Sequence, residues 1–303
     1  MKLQKITLGR TNLRVSRLGL GIGGIFGMKI FDQKKAISII EKSLENGINF
    51  FDTGSSYSYG NAEILLGKAL YRKNLDDIII ATKGGTVLGK RNMIYKDFSK
   101  DSLRLNLEKS LKKLKIEKIN LFQLHSPKRK DLNEDVFEIL NSFKEEGKID
   151  HIGISCDGIV LEKALKTNFF DTIMCTYNLI NRTANEQLKI AKNRNIGVII
   201  KSPMAHQVFN KNIFNIKNIT SLWYFLRILK NYKSQLIKGY KFRFLNNFDN
   251  LSSSQIALKF VIDNEYVDLA LVGTTKIRHL EQNVDCLFKS LPPEIHKKLN
   301  DYK

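Results

Sequence analysis

The chain has 303 residues, 43% of them hydrophobic and 26% charged, which is the composition of a globular protein with a sizeable core and excludes disordered, collagen-like and linker-like chains. Fifty basic against thirty acidic residues leave a net charge of +20, a field that favours anionic partners such as phosphates or an acidic substrate. The basic residues are spread along the chain without an arginine-rich block, so a solvated basic surface is expected rather than a nucleic-acid partner, and no apolar run is long enough to make a membrane a partner.

In chain order, LQKITLGRTNLRVS reads as a β-hairpin turning about Gly9–Asn12, within an N-terminal segment 1–16. RLGLGIG (17–23) reads as a first strand, and DQKKAISIIEKSLENG as a helix ended by Gly47. Further strands are expected at INFFDT (48–53), DIIIATK (77–83), INLFQLH (119–125), HIGISC (151–156), TIMCTYN (172–178), GVIIKSP (197–203) and LALVGTT (269–275). They are short and almost continuously apolar, as strands buried on both faces are. Between them lie helical patterns: NAEILLGKALYR, SKDSLRLNLEKSLKKLK, LNEDVFEILNSFKEEG, IVLEKALKT, ANEQLKIAKNRN, SSSQIALKFVIDNE and KIRHLEQNVDCLF. Leu103, Leu107, Leu111 and Leu114 recur at helical spacing.

Eight strands alternating with helices predict an α/β fold, a (β/α)8 TIM barrel closed below by the N-terminal β-hairpin. No linker-like boundary breaks the series, so residues 1–303 are expected to form a single barrel domain. One long insertion, 207–250, follows the seventh strand. It carries WYFLRILKNY and KGYKFRF, and reads either as a basic flap over the site or as a helix docked by Trp223, Tyr224, Phe225 and Leu226. Cys156, Cys175 and Cys286 are widely spaced and give neither a disulfide framework nor a metal cage. With no apolar signal core after the first lysine, they predict a cytoplasmic protein without a bound metal.

Two motifs mislead. Gly19-Leu-Gly21-Ile-Gly23-Gly24 satisfies the dinucleotide pattern G-x-G-x-x-G, but Ile25-Phe26-Gly27-Met28 continues as loop where a helix would have to open. Phe51-Asp52-Thr53-Gly54 resembles the turn of an aspartic protease, but the chain has no second such turn to supply the other carboxylate, and the βα alternation contradicts that fold.

The chemistry gathers at strand ends, where barrel enzymes keep their sites. Asp52 ends the second strand, Lys83 the third and His125 the fourth, and Tyr57 follows Asp52 on the same loop. A free phenol, with a pKa of about 10, is a weak acid at neutral pH. An ammonium beside it favours the phenolate, a carboxylate fixes the ammonium, and a histidine can hydrogen-bond the same substrate oxygen. This set can protonate a carbonyl oxygen as charge develops on it, leaving hydride delivery to a cofactor.

Over nearly its whole length the sequence resembles the aldo-keto reductase family. The matching stretches are LGRTNLRVSRLGLGIGG, NGINFFDTGSSYSYGNAEILLGKAL, IIIATKGG, INLFQLHSP, GKIDHIGIS, TYNLINR and LVGTTKIRHLEQN. The resemblance implies that Asp52, Tyr57, Lys83 and His125 are the catalytic tetrad. It implies an oxidoreductase that interconverts a small carbonyl substrate, an aldehyde or ketone, and its alcohol by direct hydride transfer, with NADP(H) lying across the top of the barrel. By the same resemblance Gly23, Ser155, Met174, Ser202, Met204, Gly273, Thr274, Thr275, Lys276, Arg278, His279, Gln282 and Asn283 are the cofactor-binding positions.

The sequence also departs from the family. Where the family holds the nicotinamide amide with Ser-Asn and Gln, this chain has Ser155-Cys156 and Met174. Lys201 stands where many members stack a tyrosine, and the usual arginine for the 2′-phosphate falls on His279, beside Arg278 and near Lys276. NAD(H) is therefore kept as an alternative cofactor, and a cofactor-binding, weakly active or regulatory protein as an alternative function. Substrate choice is expected to lie in Ile25–Phe31, the 84–98 region and the insertion.

Overall fold

The computed structural model describes residues 3–28, 30–89, 93–210, 215–216, 219–248 and 250–301. Residues 1–2, 29, 90–92, 211–214, 217–218, 249 and 302–303 lie outside the described residues, and with them the chain ends, parts of the three expected specificity segments and parts of the insertion.

The chain begins with an antiparallel hairpin of β1 (Lys5–Thr7) and β2 (Arg14–Ser16), with Ile6 paired to Val15. β3 (Leu18–Gly21), α1 (Gln33–Glu45), β4 (Phe50–Asp52), α2 (Asn61–Leu70) and β5 (Ile79–Gly84) follow. A second hairpin, β6 (Thr86–Leu88) with β7 (Ile94–Lys96), precedes α3 (Lys100–Leu114), β8 (Ile119–His125), α4 (Glu134–Glu145) and β9 (Ile149–Ser155). Then come α5 (Gly158–Thr167), β10 (Thr172–Thr176), α6 (Asn185–Asn193) and β11 (Gly197–Lys201). The chain continues through α7 (Ile219–Asn231), α8 (Lys233–Gly239), α9 (Ser253–Ile262), β12 (Leu269–Val272), α10 (Ile277–Asp285) and α11 (Pro293–Asp301).

Eight strands, β3, β4, β5, β8, β9, β10, β11 and β12, close into a barrel in that order, every pair parallel, with β12 returning to β3. This is the (β/α)8 architecture that the alternation predicts. Neighbouring residues on one strand serve opposite faces. Phe50 packs inside with Leu121, Met174, Ile199 and Leu271, and Phe51 packs outward in the helix-side core with Ile39 and Ile40, all buried. Four strands, β3, β10, β11 and β12, stop two or three residues short of the apolar runs and β4 stops one short, so Gly23, Thr53, Ser202 and Gly273–Thr275 sit in the loops that build the upper face.

The N-terminal hairpin closes the lower end. Leu8, Leu13 and Val15 join the inner cluster. A Cβ on Gly9, at φ +50°, would stand 2.1 Å from the Gly197 nitrogen at the start of β11, so only glycine lets this turn approach so closely. Helix starts carry their own signals: Asp32, Ser99 and Asn133 cap α1, α3 and α4, and Ser252 with Gln255 forms a capping box on α9. All four leucines of the α3 stripe are buried.

Three elements depart from the sequence reading. The 84–98 region is a hairpin rather than a loop, and α11 adds a C-terminal helix through the buried Ile295 and Leu299. The insertion is largely helical. In α7, Trp223 and the buried Ile228 face inward, whereas Leu226, expected to help dock the helix, is 53% exposed. The helix leans on the β3–α1 loop: a Cβ on Gly24 would stand 2.9 Å from Arg227 Nη1 and 3.5 Å from Trp223. The insertion thus lies against the upper face of the barrel, beside the site described next. Among the described residues no helix is long and apolar enough to cross a membrane.

Candidate active site

Strand register brings the first group together. Asp52 ends β4, Lys83 is next to last on β5, and Gln123 of β8 is the ladder partner of Lys83. Lys83 Nζ donates to Asp52 Oδ2 at 2.5 Å and to the Thr53 carbonyl at 2.7 Å, and Gln123 Nε2 donates to Asp52 Oδ1 at 3.1 Å. Asp52 is 4% exposed, Lys83 1% and Gln123 fully buried. Burial opposes the Lys83 charge, but Asp52, aided by Tyr57, more than offsets it and holds the ammonium above the ordinary lysine value. An acceptor-only carboxylate with two side-chain donors on it makes a fixed, dry ion pair with the lysine, although burial holds the Asp52 carboxyl itself above its ordinary value.

Tyr57 reaches this pair from the loop after β4. Its backbone N–H donates to the Gly54 carbonyl at 3.0 Å. Ser58 and Tyr59 then take positive φ, +50° and +58°, and Ser58 Oγ bonds the Gly24 and Phe26 carbonyls, tying the turn to the β3–α1 loop. The ring lies between two glycines: a Cβ on Gly23 would come to 2.8 Å of it and one on Gly54 to 3.4 Å. Gly23, expected among the cofactor positions, is thus the residue that makes room for Tyr57. Lys83 Nζ is 5.0 Å from the ring centroid. On the other side the His125 imidazole stands edge-on, 5.4 Å between centroids at 81°.

His125 ends β8 and is held from the second hairpin. Thr86 Oγ1 lies 3.0 Å from His125 Nδ1, and Lys96 Nζ donates to Thr86 Oγ1 at 2.6 Å and to the His125 carbonyl at 2.5 Å. Burial, reinforced by Lys83, Lys96 and Lys201, pushes the His125 pKa down to about 2, so the ring is neutral at physiological pH. Lys96 is itself lowered to about 8 by burial of its ammonium and by Lys201. Lys201, at the end of β11, pairs with Asp157 at 2.9 Å.

The four residues expected from the sequence, Asp52, Tyr57, Lys83 and His125, therefore meet at one rim of the barrel. Gln123, Thr86 and Lys96 join them without having been singled out. Gln123 had a signal, since it lies two residues before His125 and so faces the same side of β8. Thr86 and Lys96 had none short of the hairpin register.

The remaining expected positions form two groups. Ser155 is the ladder partner of both His125 and Met174. Met174 is 1% exposed and lies in the inner barrel core, and Cys156 is buried, its thiol pushed up to about 12 by desolvation. Ser202, at φ +55°, is held through its carbonyl by Asn178 Nδ2 at 3.1 Å, and Met204 packs into the core below. The second group follows β12. Gly273 is exposed, with nothing nearer a Cβ than the Gly21 carbonyl at 3.7 Å. Thr274 Oγ1 accepts from the Lys276 N–H at 3.1 Å and so shapes the entry into α10. Thr275 lies half-buried beside it. Lys276, Arg278 and His279 are exposed around the start of α10, which no side chain caps. One turn on, Asn283 is buried, and Gln255 Nε2 donates to the Gln282 carbonyl at 2.8 Å, fixing α10 to α9.

Known proteins share this arrangement of elements. Over 99% of this chain and 96% of its own, the aldo-keto reductase AKR11C1 from Bacillus halodurans superimposes with a TM-score of 0.82 at 26% identity. The glycerol dehydrogenase AKR11B4 from Gluconobacter oxydans does so with a TM-score of 0.80 at 25% identity, covering 100% of this chain and 95% of that one. In sequence, the uncharacterised oxidoreductase YrpG of Bacillus subtilis is 31% identical over 97% of this chain and 94% of its own length. An NADH-specific methylglyoxal reductase of Escherichia coli is 30% identical over 70% of each chain. The sequence profile of the Aldo/keto reductase family matches residues 17–302, and on that match, joined to the closed barrel and its relatives, the chain belongs to the aldo/keto reductase family of oxidoreductases.

Proposed function

We propose that the protein reduces the carbonyl of a small aldehyde or ketone with NADPH, Tyr57 being the proton donor. The observation that carries this reading is the buried Lys83–Asp52 pair set against Tyr57, with neutral His125 across the ring. A bound reduced nicotinamide would supply the hydride. Tyr57 holds the proton that the carbonyl oxygen takes up, and Lys83 stabilises the phenolate left behind. Asp52 and Gln123 keep Lys83 in place, and His125 is free to hydrogen-bond the same oxygen.

The residues after β12 fit a cofactor phosphate. The uncapped start of α10 presents backbone N–H groups, which suits an anion, and Lys276, Arg278 and His279 add side-chain donors around it. Burial, then Lys276 and Arg278, lower the His279 pKa, so the two longer side chains carry the charge. Gly273 leaves open space for close approach. Lys276→Ala and Arg278→Ala are expected to weaken NADPH more than NADH, with a loss that shrinks as salt rises, because exposed charges are screened. Equal loss for both cofactors would overturn the preference for NADPH.

One observation favours the second reading, a cofactor-binding protein of low turnover. Met174 is committed to the barrel core and Cys156 is a buried thiol, so neither offers an amide to the nicotinamide. A panel of aldehydes and ketones of varied size and charge separates the readings. Carbonyl reduction predicts NADPH consumed one for one with alcohol formed on some members of the panel. Tight NADPH binding with no turnover on any member would favour the second reading.

A further inference from the structure

The hairpin after β5 reaches into the site through one cross-strand pair. Thr86 opens β6 and Lys96 closes β7, and the register sets them directly opposite each other, so their side chains lie on one face. Thr86 is 3% exposed, whereas Lys96 is an exposed residue. A one-residue slip of the hairpin would turn Lys96 to the other face.

Donor accounting at Thr86 favours one arrangement: a hydroxyl has two acceptor lone pairs but a single proton, and among the described residues the acceptor within reach of that proton is His125 Nδ1. A lysine ammonium only donates, so the 2.6 Å contact from Lys96 occupies Thr86 Oγ1 as acceptor. The hydroxyl then has its own proton to give, and the partner at 3.0 Å is His125 Nδ1. A neutral ring that accepts at Nδ1 carries its proton on Nε2. The second bond from Lys96, to the His125 carbonyl at 2.5 Å, fixes the backbone of the same residue.

We infer that Lys96, acting through Thr86, is a positioning residue that holds His125 in the Nε2–H form, making it a hydrogen-bond donor to the substrate oxygen. The donor role toward substrate rests on the function proposed above, whereas the tautomer does not.

The charged groups facing this pair come from the barrel strands and from the hairpin itself. Lys201 of β11, paired with Asp157, acts on Lys96 and on His125; Lys83 of β5, paired with Asp52, acts on His125. On the hairpin's own side Asp97 is engaged elsewhere, accepting from the Ser99 N–H at 3.0 Å. Among the described residues no carboxylate pairs with Lys96, which matches its lowering to about 8 by burial and Lys201. A neutral amine has a lone pair and can take the Thr86 proton, which releases Nδ1. The relay therefore holds below that pH and loosens above it.

The test is NMR of the protein labelled with 15N-histidine, with His125 assigned by the signal lost in His125→Asn. The expected result is an unprotonated, hydrogen-bonded Nδ1 and a protonated Nε2. The Nδ1 signal should move with a midpoint near pH 8 in the parent and stay put in Lys96→Arg, whose guanidinium keeps donating. In turnover, Lys96→Met is expected to lower kcat by roughly 3- to 10-fold with less change in KM, the scale of one hydrogen bond. It should also abolish the limb near pH 8, while Lys96→Arg keeps most of the activity without that limb. A proton on Nδ1 in the parent, or a midpoint unchanged in both Lys96 variants, would overturn the inference. The expected tautomer and midpoint in a protein that reduces no carbonyl would support the relay and remove the proposed function instead.

Discussion

Tyr57→Phe is expected to lower kcat for carbonyl reduction by roughly 10²–10⁴-fold, the contribution of a positioned general acid, while NADPH affinity stays nearly unchanged. The substitution removes one oxygen from a ring held between Gly23 and Gly54 and edge-on to His125. Those contacts are made by ring carbons and survive. An interaction made only in the transition state lowers kcat and kcat/KM together, so that pattern is the one to look for. Stopped-flow measurement of the reduction step with cofactor saturating reads it directly. Activity within a few-fold of the parent would remove Tyr57 from the mechanism.

The second large effect is expected at Lys83. Lys83→Met fills much of the same space but strands Asp52, 4% exposed, with Gln123 as its remaining side-chain donor. Breaking a buried pair from one side costs about 3–5 kcal/mol, because the other charge stays buried and unpaired. Burial already holds the Asp52 pKa above the ordinary carboxylate value in the parent, against the pull of Lys83, and loss of the ammonium raises it further, so that Asp52 relieves the deficit by taking up a proton. A carboxyl shifted in that direction favours the folded state at low pH, and the benefit is lost as pH rises. The deficit against the parent is therefore expected to be larger at pH 8 than at pH 5 in denaturant titrations. Asp52→Asn combined with Lys83→Met removes both charges and should recover much of the stability. Reduction should stay depressed in both variants, since neither carries a cation to stabilise the Tyr57 phenolate. A double variant as active as the parent would mean that Lys83 serves only the fold.

Much of the barrel is legible in the sequence because its strands are buried on both faces and therefore read as short, unbroken apolar runs. Phe50 and Phe51, adjacent and both fully buried, show why alternation is absent: one fills the barrel and the other the helix layer. The tetrad positions are legible because polar residues at the ends of such runs have few places to be except the rim. Lys83 and His125 interrupt their strands in this way. Gln123 is masked by the same run, since a glutamine inside INLFQLH reads as part of the strand. Thr86 and Lys96 depend on the register of β6 against β7, a pairing that leaves no periodic trace in TVLGKRNMIYK. The inward face of α7 is not legible, because WYFLRIL is apolar on several sides and sequence alone does not say which side meets the barrel, so Leu226 reads as a docking residue. For α11 the sequence does carry a signal: Leu291, Ile295 and Leu299 recur every four residues around Pro293 at the first helical position.

The central claim is hydride transfer to a carbonyl carbon beside Tyr57. The most direct measurement follows deuterium from NADPH labelled at nicotinamide C4, using the two stereoisomers separately, into the alcohol formed from an aldehyde that the protein turns over. The account predicts deuterium on the carbinol carbon from one isomer and none from the other, with the rate of label transfer falling in Tyr57→Phe. Alcohol that carries no deuterium from either isomer would contradict it.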